Sequence, residues 1–445
     1  MQHLIDGLRV GALQEKRALL FVSDEDEGVR GNRTLSFFAT LLLALGPHQL
    51  AFAQGEARNV SVADRQHPEY DPLGLRFGGF QLNASVEVGA EHSNNLFAEE
   101  AGNEDEDTYY NVRPEARLTS LWSRHAAYVG AGGSFSEHDE FSTENADTGY
   151  ATAGGRIDVR RNTAVGVDLR AAREVESRTD PDSIVTAAPV EYDVRSASGY
   201  VSQVFNRVTL RLSAAQTDYD FHDAGAPGSV GFEQDYRDRS ETTIGGRVEY
   251  AFTPRLAALA EAISEDREYD VANVTPSSDG VRYLAGVAFE LSNLLRGELT
   301  AGQFERDYKP TAAVPDVSEV SGTAIAGRVN WFATPITTVS FNASRDVQES
   351  SFENPYVNTY YAGRIDHELL RNVVLTAGVG ASTRAYEGID RDDDVVVYDI
   401  GARYLMNRRV SFNAAYIRNE TESDGLDAFR SYDEDHLRFA VKFAL

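Results

Sequence analysis

From Gln81 to the last residue, apolar and polar side chains alternate with period two in segment after segment, and turn residues punctuate the runs. In the segment from Gln81, Leu82, Val86 and Val88 share one face, with Asn83, Ser85, Glu87 and Glu91 on the other. The final segment opposes Leu437, Phe439, Val441, Phe443 and Leu445 to His436, Arg438 and Lys442. Eighteen such segments are expected, at 81–92, 107–121, 125–138, 147–160, 163–175, 191–204, 208–220, 236–252, 255–268, 280–292, 296–308, 319–332, 336–349, 356–369, 372–386, 394–405, 409–421 and 432–445. The segment from Arg255 is the most ambiguous, because RLAALAEAI also fits helical spacing.

The connections alternate between two kinds. Eight are tight, near Ser123, Arg161, Asn206, Thr253, Asn293, Thr334, Arg371 and Asn407, and they recur every 36 to 47 residues. Nine are longer and acidic, among them EEAGNEDED from Glu99, Glu176 to Val190, His222 to Gln234, and EGIDRDDD from Glu387. A propeller blade of that repeat length would need four strands, and only two fit.

Charged groups sit well inside the polar faces: Arg113, Glu115 and Arg117; Arg156, Asp158 and Arg160; Asp168 and Arg170; Arg247 and Glu249; Arg364 and Asp366. In a dry sandwich core they would cost several kcal/mol each, on the order of the penalty for burying a polar group unpaired. In a water-filled lumen they stay hydrated and pair across strands. The opposite faces carry many Ala, Gly, Thr and Tyr, a poor basis for the close packing of two sheets but acceptable against lipid. The expected fold is therefore all-β: a transmembrane antiparallel up-and-down barrel of about 18 strands, short turns at one end and long loops at the other. Trp122, Phe205, Phe252, Trp331 and Phe332 flank the tight turns. Tyr109, Tyr192, Tyr219, Tyr236, Tyr269, Tyr308, Tyr356, Tyr386 and Tyr432 adjoin the acidic loops. The two groups are expected to form belts at the two headgroup levels.

Ahead of the barrel, Leu35 to Ala53 has an apolar run of signal-peptide length, with Arg30 and Arg33 as the positive flank and Ala51 and Ala53 as an A-x-A cleavage site. Asp24 to Glu27 suit no signal n-region, so either the natural start lies near Val29 or the leader is long. The expected organisation is a leader at 1–53, a short periplasmic segment at 54–79 and the barrel at 80–445. With no Cys in 445 residues, disulfide scaffolds, thiolate metal sites and thiol catalysis are excluded. The formal charge of −28 opposes nucleic-acid binding.

The end of the chain is similar to the outer-membrane assembly signal, with Arg438, Ala440, Phe443 and Leu445 in its places; Ala440 stands where Gly is usual and Leu445 where an aromatic is preferred. YDPLGLRFGGFQLNASVEVGAEHSNNLF from Tyr70, with IDHELLRNVVLTAGVG and AYEGIDRDDD from Ile365, resembles the outer-membrane β-barrel porin family of the second type, common in alphaproteobacteria. The resemblance runs from about Tyr70 to Leu445 and implies an outer-membrane barrel often associated with exopolysaccharide synthesis or export. It brings no catalytic residues. It implies outer-membrane lipid, lipopolysaccharide, the barrel assembly machinery and polysaccharide export components as partners, in a Gram-negative cell.

A barrel of this size leaves an aqueous channel, and residues 54–79 are too few for a plug domain. The candidate lumen-lining residues are Arg113, Glu115, Arg117, Arg156, Asp158, Arg160, Asp168, Arg170, Arg211, Arg247, Glu249, Arg282, Arg328, Arg364, Asp366, Arg384, Arg403, Arg438 and Lys442. Such a mixed wall offers an anionic glycan successive weak sites; alternatively it is a hydrated ladder that only stabilises the barrel. No loop stands out as long enough to be an obvious folded-in constriction. DRDDD from Asp390 lacks the Gly and bidentate Glu of a calcium loop, and reads as a solvated loop. No cofactor, metal or catalytic site is expected: G-x-S-x-G, H-E-x-x-H and phosphate loops are absent, and His67, His92, His125, His138, His222, His367 and His436 are scattered. The competing classes are a structural or adhesin-like barrel with a blocked lumen and, less favoured, an outer-membrane enzyme.

Overall fold

The computed structural model describes residues 60–181, 183, 188–225, 232–271, 274–312, 314–315, 317–350 and 354–445, so the leader and its cleavage site lie outside the described residues. A three-residue strand, β1 (Leu75–Phe77), folds back on the start of the next. Eighteen long strands follow: β2 (Phe80–Ser93), β3 (Asp107–Ser120), β4 (Ala126–His138), β5 (Ala146–Arg160), β6 (Thr163–Val175), β7 (Glu191–Phe205), β8 (Val208–Phe221), β9 (Arg239–Thr253), β10 (Leu256–Tyr269), β11 (Ser278–Leu291), β12 (Leu295–Tyr308), β13 (Glu319–Thr334), β14 (Thr337–Gln348), β15 (Tyr356–Leu370), β16 (Val373–Tyr386), β17 (Asp392–Asn407), β18 (Val410–Asp424) and β19 (Tyr432–Ala444). Each pairs antiparallel with the next, and β19 pairs with β2, which closes the barrel.

Every expected segment is a strand, with ends displaced by three residues or fewer. The stretch from Arg255 is β10: its alternation places Leu256, Ala258, Ala260 and Ala262 on one face, and Leu259, Glu261 and Ile263 on the other. β9 starts at Arg239 because Asp235–Arg237 forms a 3-10 turn, with Arg237 drawn into a buried pair with Glu176. The tight turns carry register shifts at Asp158/Arg160, Trp331/Thr334, Glu368/Leu370 and Leu405/Asn407. Asn206 takes a φ of 54° in one of them, a left-handed conformation that Asn tolerates better than most residues.

The outward faces are apolar and uncovered through the middle of the strands, as at Val129, Ile157, Leu169, Leu212, Tyr283 and Ile400. In water such a surface would drive association; in a bilayer it is solvated by hydrocarbon. The strands run 12 to 16 residues, longer than the roughly 9–11 that a tilted strand needs to cross. The surplus lies at the loop end, where the outward face becomes ionic. Arg173 pairs with Asp193 at 2.9 Å, and Arg418 reaches Glu420, Asp433 and Asp435 at 2.6, 3.0 and 3.3 Å.

At the seam Ala440 faces Gly89 in register and is fully buried, so the methyl group where Gly is usual is accommodated by a glycine opposite. Leu445 donates its N–H to the Ala84 carbonyl and its own carbonyl accepts from Gly74, so the chain end is tied to both sides of the closure.

Leu212 is two-thirds exposed, a position where a water-soluble protein would accept a charge. Leu212→Arg is expected to destabilise the barrel in lipid vesicles by about 2–4 kcal/mol if it lies near the bilayer midplane. Denaturant titration of the refolded protein, with Leu212→Ser as the uncharged control, measures the difference.

Candidate functional site: the lumen wall

Ion pairs between strands that are not neighbours identify the inner face, because side chains of strands two or three apart converge only on the concave side. Arg247 on β9 donates two hydrogen bonds to Glu298 on β12, at 2.8 and 2.7 Å. Arg282 on β11 pairs with Asp346 on β14. Arg267 on β10 and Arg306 on β12 both reach Glu349 beyond β14, at 2.5 and 2.6 Å.

The register places the charged residues singled out in the sequence on this same face, Arg160 excepted, which pairs with Thr163 beyond the bulge. Arg113 bridges Glu87 and Glu91 at 3.4 and 2.6 Å, and Arg438 closes on the same two carboxylates from across the seam. Lys442 stands opposite Glu87 in register. Glu115 accepts from the Tyr150 hydroxyl at 3.1 Å and Asp168 from the Tyr128 hydroxyl at 2.5 Å. Arg156 pairs with Asp158 at 3.0 Å, Arg170 with Glu174, Arg247 also with Glu249, and Arg364 with Asp366 at 3.1 Å. Arg328 lies opposite Glu298, and Arg403 opposite Asn413. Arg160 sits at the bulge beside its turn, where alternation is interrupted. Arg384 is buried among tyrosines. Among the carboxylates that complete these networks, Glu261 and Glu265 share the parity of Arg267 on β10 and Glu298 that of Arg306 on β12, and parity was the signal that could have found them.

On β3, β6 and β8, arginines lie over tyrosine rings of the neighbouring strands: Arg117 over Tyr128 and Arg211 over Tyr200, both at 4.1 Å, and Arg170 over Tyr150 at 5.3 Å. The rings lie flat along the wall because a glycine faces each on the next strand. A Cβ at Gly166 would come within 2.3 Å of the Tyr200 ring, and one at Gly132 within 2.8 Å of Tyr150. Flat rings keep the lumen wide at these positions and turn π-faces toward the arginines.

The lumen is asymmetric. Arg156 and Arg170 on the β3–β8 side keep about a third of their side-chain surface exposed, whereas Arg247 and Arg306 opposite keep 5% and 8%. The dense half also turns Leu259, Ile263, Leu284, Ala288 and Phe304 inward, and Val314 and Val317 of the following loop join the buried cluster around Leu284 and Phe304.

Two expectations are corrected. The tyrosines beside the acidic loops do not face lipid: Tyr109, Tyr192, Tyr219, Tyr269, Tyr308, Tyr356, Tyr386 and Tyr432 share the inner face. Tyr109 pairs in register with Glu91, Tyr219 with Arg239, and Tyr356 with Tyr386. They form the floor on which the loops pack; the Tyr192 hydroxyl donates to Glu174 at 3.2 Å, whereas those of Tyr308 and Tyr386 are buried without a partner among the described residues. Phe332, unlike Trp331, is buried on the inner side of its turn. Secondly, a loop does fold inward. In the stretch 176–190, Glu176 is held by buried Arg237, and Arg178 donates to Glu144 at 2.7 and 3.0 Å. Arg430 donates to the Arg178 carbonyl at 2.8 Å, and the Tyr432 hydroxyl donates to the Thr179 carbonyl at 3.5 Å. The loop that joins β6 to β7 thus reaches β19, which it does by crossing the outer mouth. Loop length alone did not reveal this; Arg178, just inside the start of the loop, was the available clue.

At the opposite mouth, residues 60–74 run along the rim. The Val62 N–H donates to Thr338 Oγ1 at 3.0 Å, Arg65 pairs with Glu368 at 2.8 Å, and Arg408 donates to the Pro68 carbonyl at 2.8 Å. DRDDD is divided by alternation: Asp393 turns inward to Arg391, at 2.9 and 2.6 Å, while Asp392 and Asp394 turn outward.

A closed barrel of this strand number, with an ionic inner wall and an apolar belt, is a porin architecture. The chain belongs to the family described as putative beta-barrel porin 2, whose pattern matches residues 67–445. It is a porin-type outer-membrane β-barrel. Among solved structures it is similar to OccK2 (OpdF) of Pseudomonas aeruginosa, at 11% identity and a TM-score of 0.46 over 82% of this chain and 98% of that one. A BenF-like porin of Pseudomonas fluorescens Pf-5 gives 10% identity and a TM-score of 0.46 over 83% and 100%. OccK3 (OpdO) of P. aeruginosa gives 14% identity and 0.43 over 82% and 95%. No curated protein matches the chain.

Glu349, in the loop beyond β14, is buried. Burial pushes its carboxyl up, but Arg267, Arg306 and the Ser278 hydroxyl outweigh that and hold it down at about 2. Because this pKa is depressed on folding, the stabilisation is present above the ordinary carboxylate range and is lost only as pH falls through about 2. The thermal midpoint of the folded band in gel electrophoresis is therefore expected to lose nothing from this cluster between pH 7 and pH 5. Glu349→Gln, which leaves two buried guanidinium groups short of an anion, is expected to cost about 3 kcal/mol at pH 7.

Proposed function

We propose that the barrel is an aqueous channel in the outer membrane of a Gram-negative bacterium, selective for anionic, hydroxylated solutes. The supporting observation is the arginine-over-tyrosine wall of β3–β8, where Arg117, Arg170 and Arg211 each cover an inward tyrosine ring. Cations spaced along a hydrated wall give an anion several weak sites in succession, favourable enough to enter and weak enough to leave. Flat tyrosine rings add an apolar surface for the faces of sugar-like rings. Anionic exopolysaccharide, exported outward, belongs to this solute class, and polysaccharide export components would then be partners at the periplasmic mouth.

The outward ionic girdle around Arg418 suits contact with lipopolysaccharide, and the C-terminal strand suits delivery by the barrel assembly machinery. No catalytic role is assigned. The inward contacts of Glu176, Arg178 and Thr179 and the dense half of the lumen favour a second reading, a structural or adhesin-like barrel whose lumen is closed.

Conductance in planar bilayers decides between them. The refolded chain is expected to open channels, and deletion of 179–189 to raise their conductance; absence of channels in both proteins would favour the closed barrel. Arg117→Gln with Arg211→Gln is expected to shift the reversal potential in a salt gradient toward cation selectivity. Polysaccharide retained in the periplasm of a deletion strain would support glycan export, and normal secretion would refute it.

A further inference from the structure

Arg384 differs from the other deeply buried arginines of the inner wall. Arg247, Arg267, Arg282 and Arg306 each meet at least one carboxylate. Arg384, only 8% exposed, makes no hydrogen bond or ion pair among the described residues. The acidic residue facing it on β17, Asp393, is already occupied by both arms of Arg391 and by the Ser423 hydroxyl at 2.6 Å. Its register partner on β15, Asn358, accepts from Ser382 at 2.6 Å.

Three tyrosines, Tyr356, Tyr386 and Tyr432, lie within electrostatic reach of the guanidinium. The rings of Tyr356 and Tyr386 are 5.0 Å apart, and the Tyr386 hydroxyl is buried without a partner. Arg391 covers the Tyr386 ring at 4.3 Å and so fixes it. From above, Thr179 of the inward loop rests on the Tyr432 hydroxyl. Two strands along the same face, Asn419 is buried with both side-chain atoms unpartnered.

A buried guanidinium without an anion in contact is costly, and this barrel sets a carboxylate against comparable arginines, whereas Arg384 has the field of Asp393 without a contact, because Asp393 is paired with Arg391. What is missing is an anion that fits between aromatic walls beneath a loop, beside a free hydroxyl. We propose that the outer end of the lumen holds a carboxylate-binding site centred on Arg384, for a hydroxylated organic acid of the sugar-acid class. The guanidinium takes the carboxylate, Tyr386 donates a further hydrogen bond, and Tyr356 and Tyr432 flank the ring of the ligand. The inference deepens the channel reading and rests on it for the ligand's route to the site.

Calorimetric titration of the full chain, refolded in detergent, with D-galacturonate and D-galactose tests the site, since the two differ by a carboxylate in place of a hydroxymethyl group. Galacturonate is expected to bind at least about tenfold more tightly, the scale of one charge-assisted pair. Arg384→Met is expected to abolish the difference and Tyr386→Phe to weaken galacturonate about fivefold. Equal binding of the two sugars by the unmodified chain overturns the proposal, as does undiminished discrimination in Arg384→Met. The unmodified comparison stands even if a variant fails to fold. Trigalacturonate separates two sources of the same chemistry: tighter binding than the monomer indicates a uronate within a polymer, and equal or weaker binding a free acid. Binding without bilayer conductance would remove the channel reading alone, whereas conductance without discrimination would remove this site alone.

Discussion

Backbone amides and carbonyls in hydrocarbon have no water to turn to, and the rest of this molecule follows from that constraint. Each strand passes its unpaired row to the next, and only closure leaves no row over. The junction of β19 with β2 therefore carries the whole architecture. It is supported on every side: Ala440 buried against Gly89, Arg438 and Arg113 sharing Glu87 and Glu91 across the joint, and the terminal residue bonded to Ala84 and Gly74. Side-chain pairing at the seam fixes register where a one-residue slip would turn every charge toward lipid.

Once closed, the barrel must fill or hydrate what it encloses, and it does both. On the β9–β14 side, arginines and glutamates interlock across non-neighbouring strands, and their desolvation is offset by multiple partners, as Arg247 has in Glu249, Glu261 and Glu298. Leu259, Ile263 and Phe304 fill the space between them. On the β3–β8 side, glycines let tyrosines lie flat, and the cations above them stay in contact with water. One half acts as a rigid buttress, and the other is the surface a solute would meet.

Strand number, strand limits and the identity of the ionic face were legible because period two is a direct consequence of the pleat, and one lipid face and one aqueous face leave no ambiguity about which residue belongs where. The tyrosines at the loop ends show how that reading can fail. Their height was legible; their side was assigned by analogy with headgroup belts, although Tyr109 has the parity of Arg113 and Tyr192 that of Ser196 and Ser198. The inward loop failed differently. Its course depends on Glu176 meeting Arg237 and on Arg178 meeting Glu144, contacts between residues from different loops that no periodicity encodes. Local alternation specifies a wall, whereas the mouth is specified by long-range pairing.

On the proposed channel reading, the same distinction assigns selectivity to the mouths. Within each half the wall repeats one kind of pairing, interlocked arginines and glutamates on one side and arginines over tyrosine rings on the other. At the outer end, tyrosines, loops and unpaired polar groups meet in an arrangement that occurs at one place, between β15 and β19 beneath Thr179. At the inner end, Arg65 and Val62 bind the rim of β14 and β15. On the proposed channel reading, a solute meets the outer mouth beneath Thr179, a wall that is dense on one side and hydrated on the other, and the inner mouth along whose rim residues 60–74 run. On that reading the wall sets which charge can travel, and the ends set which molecule does.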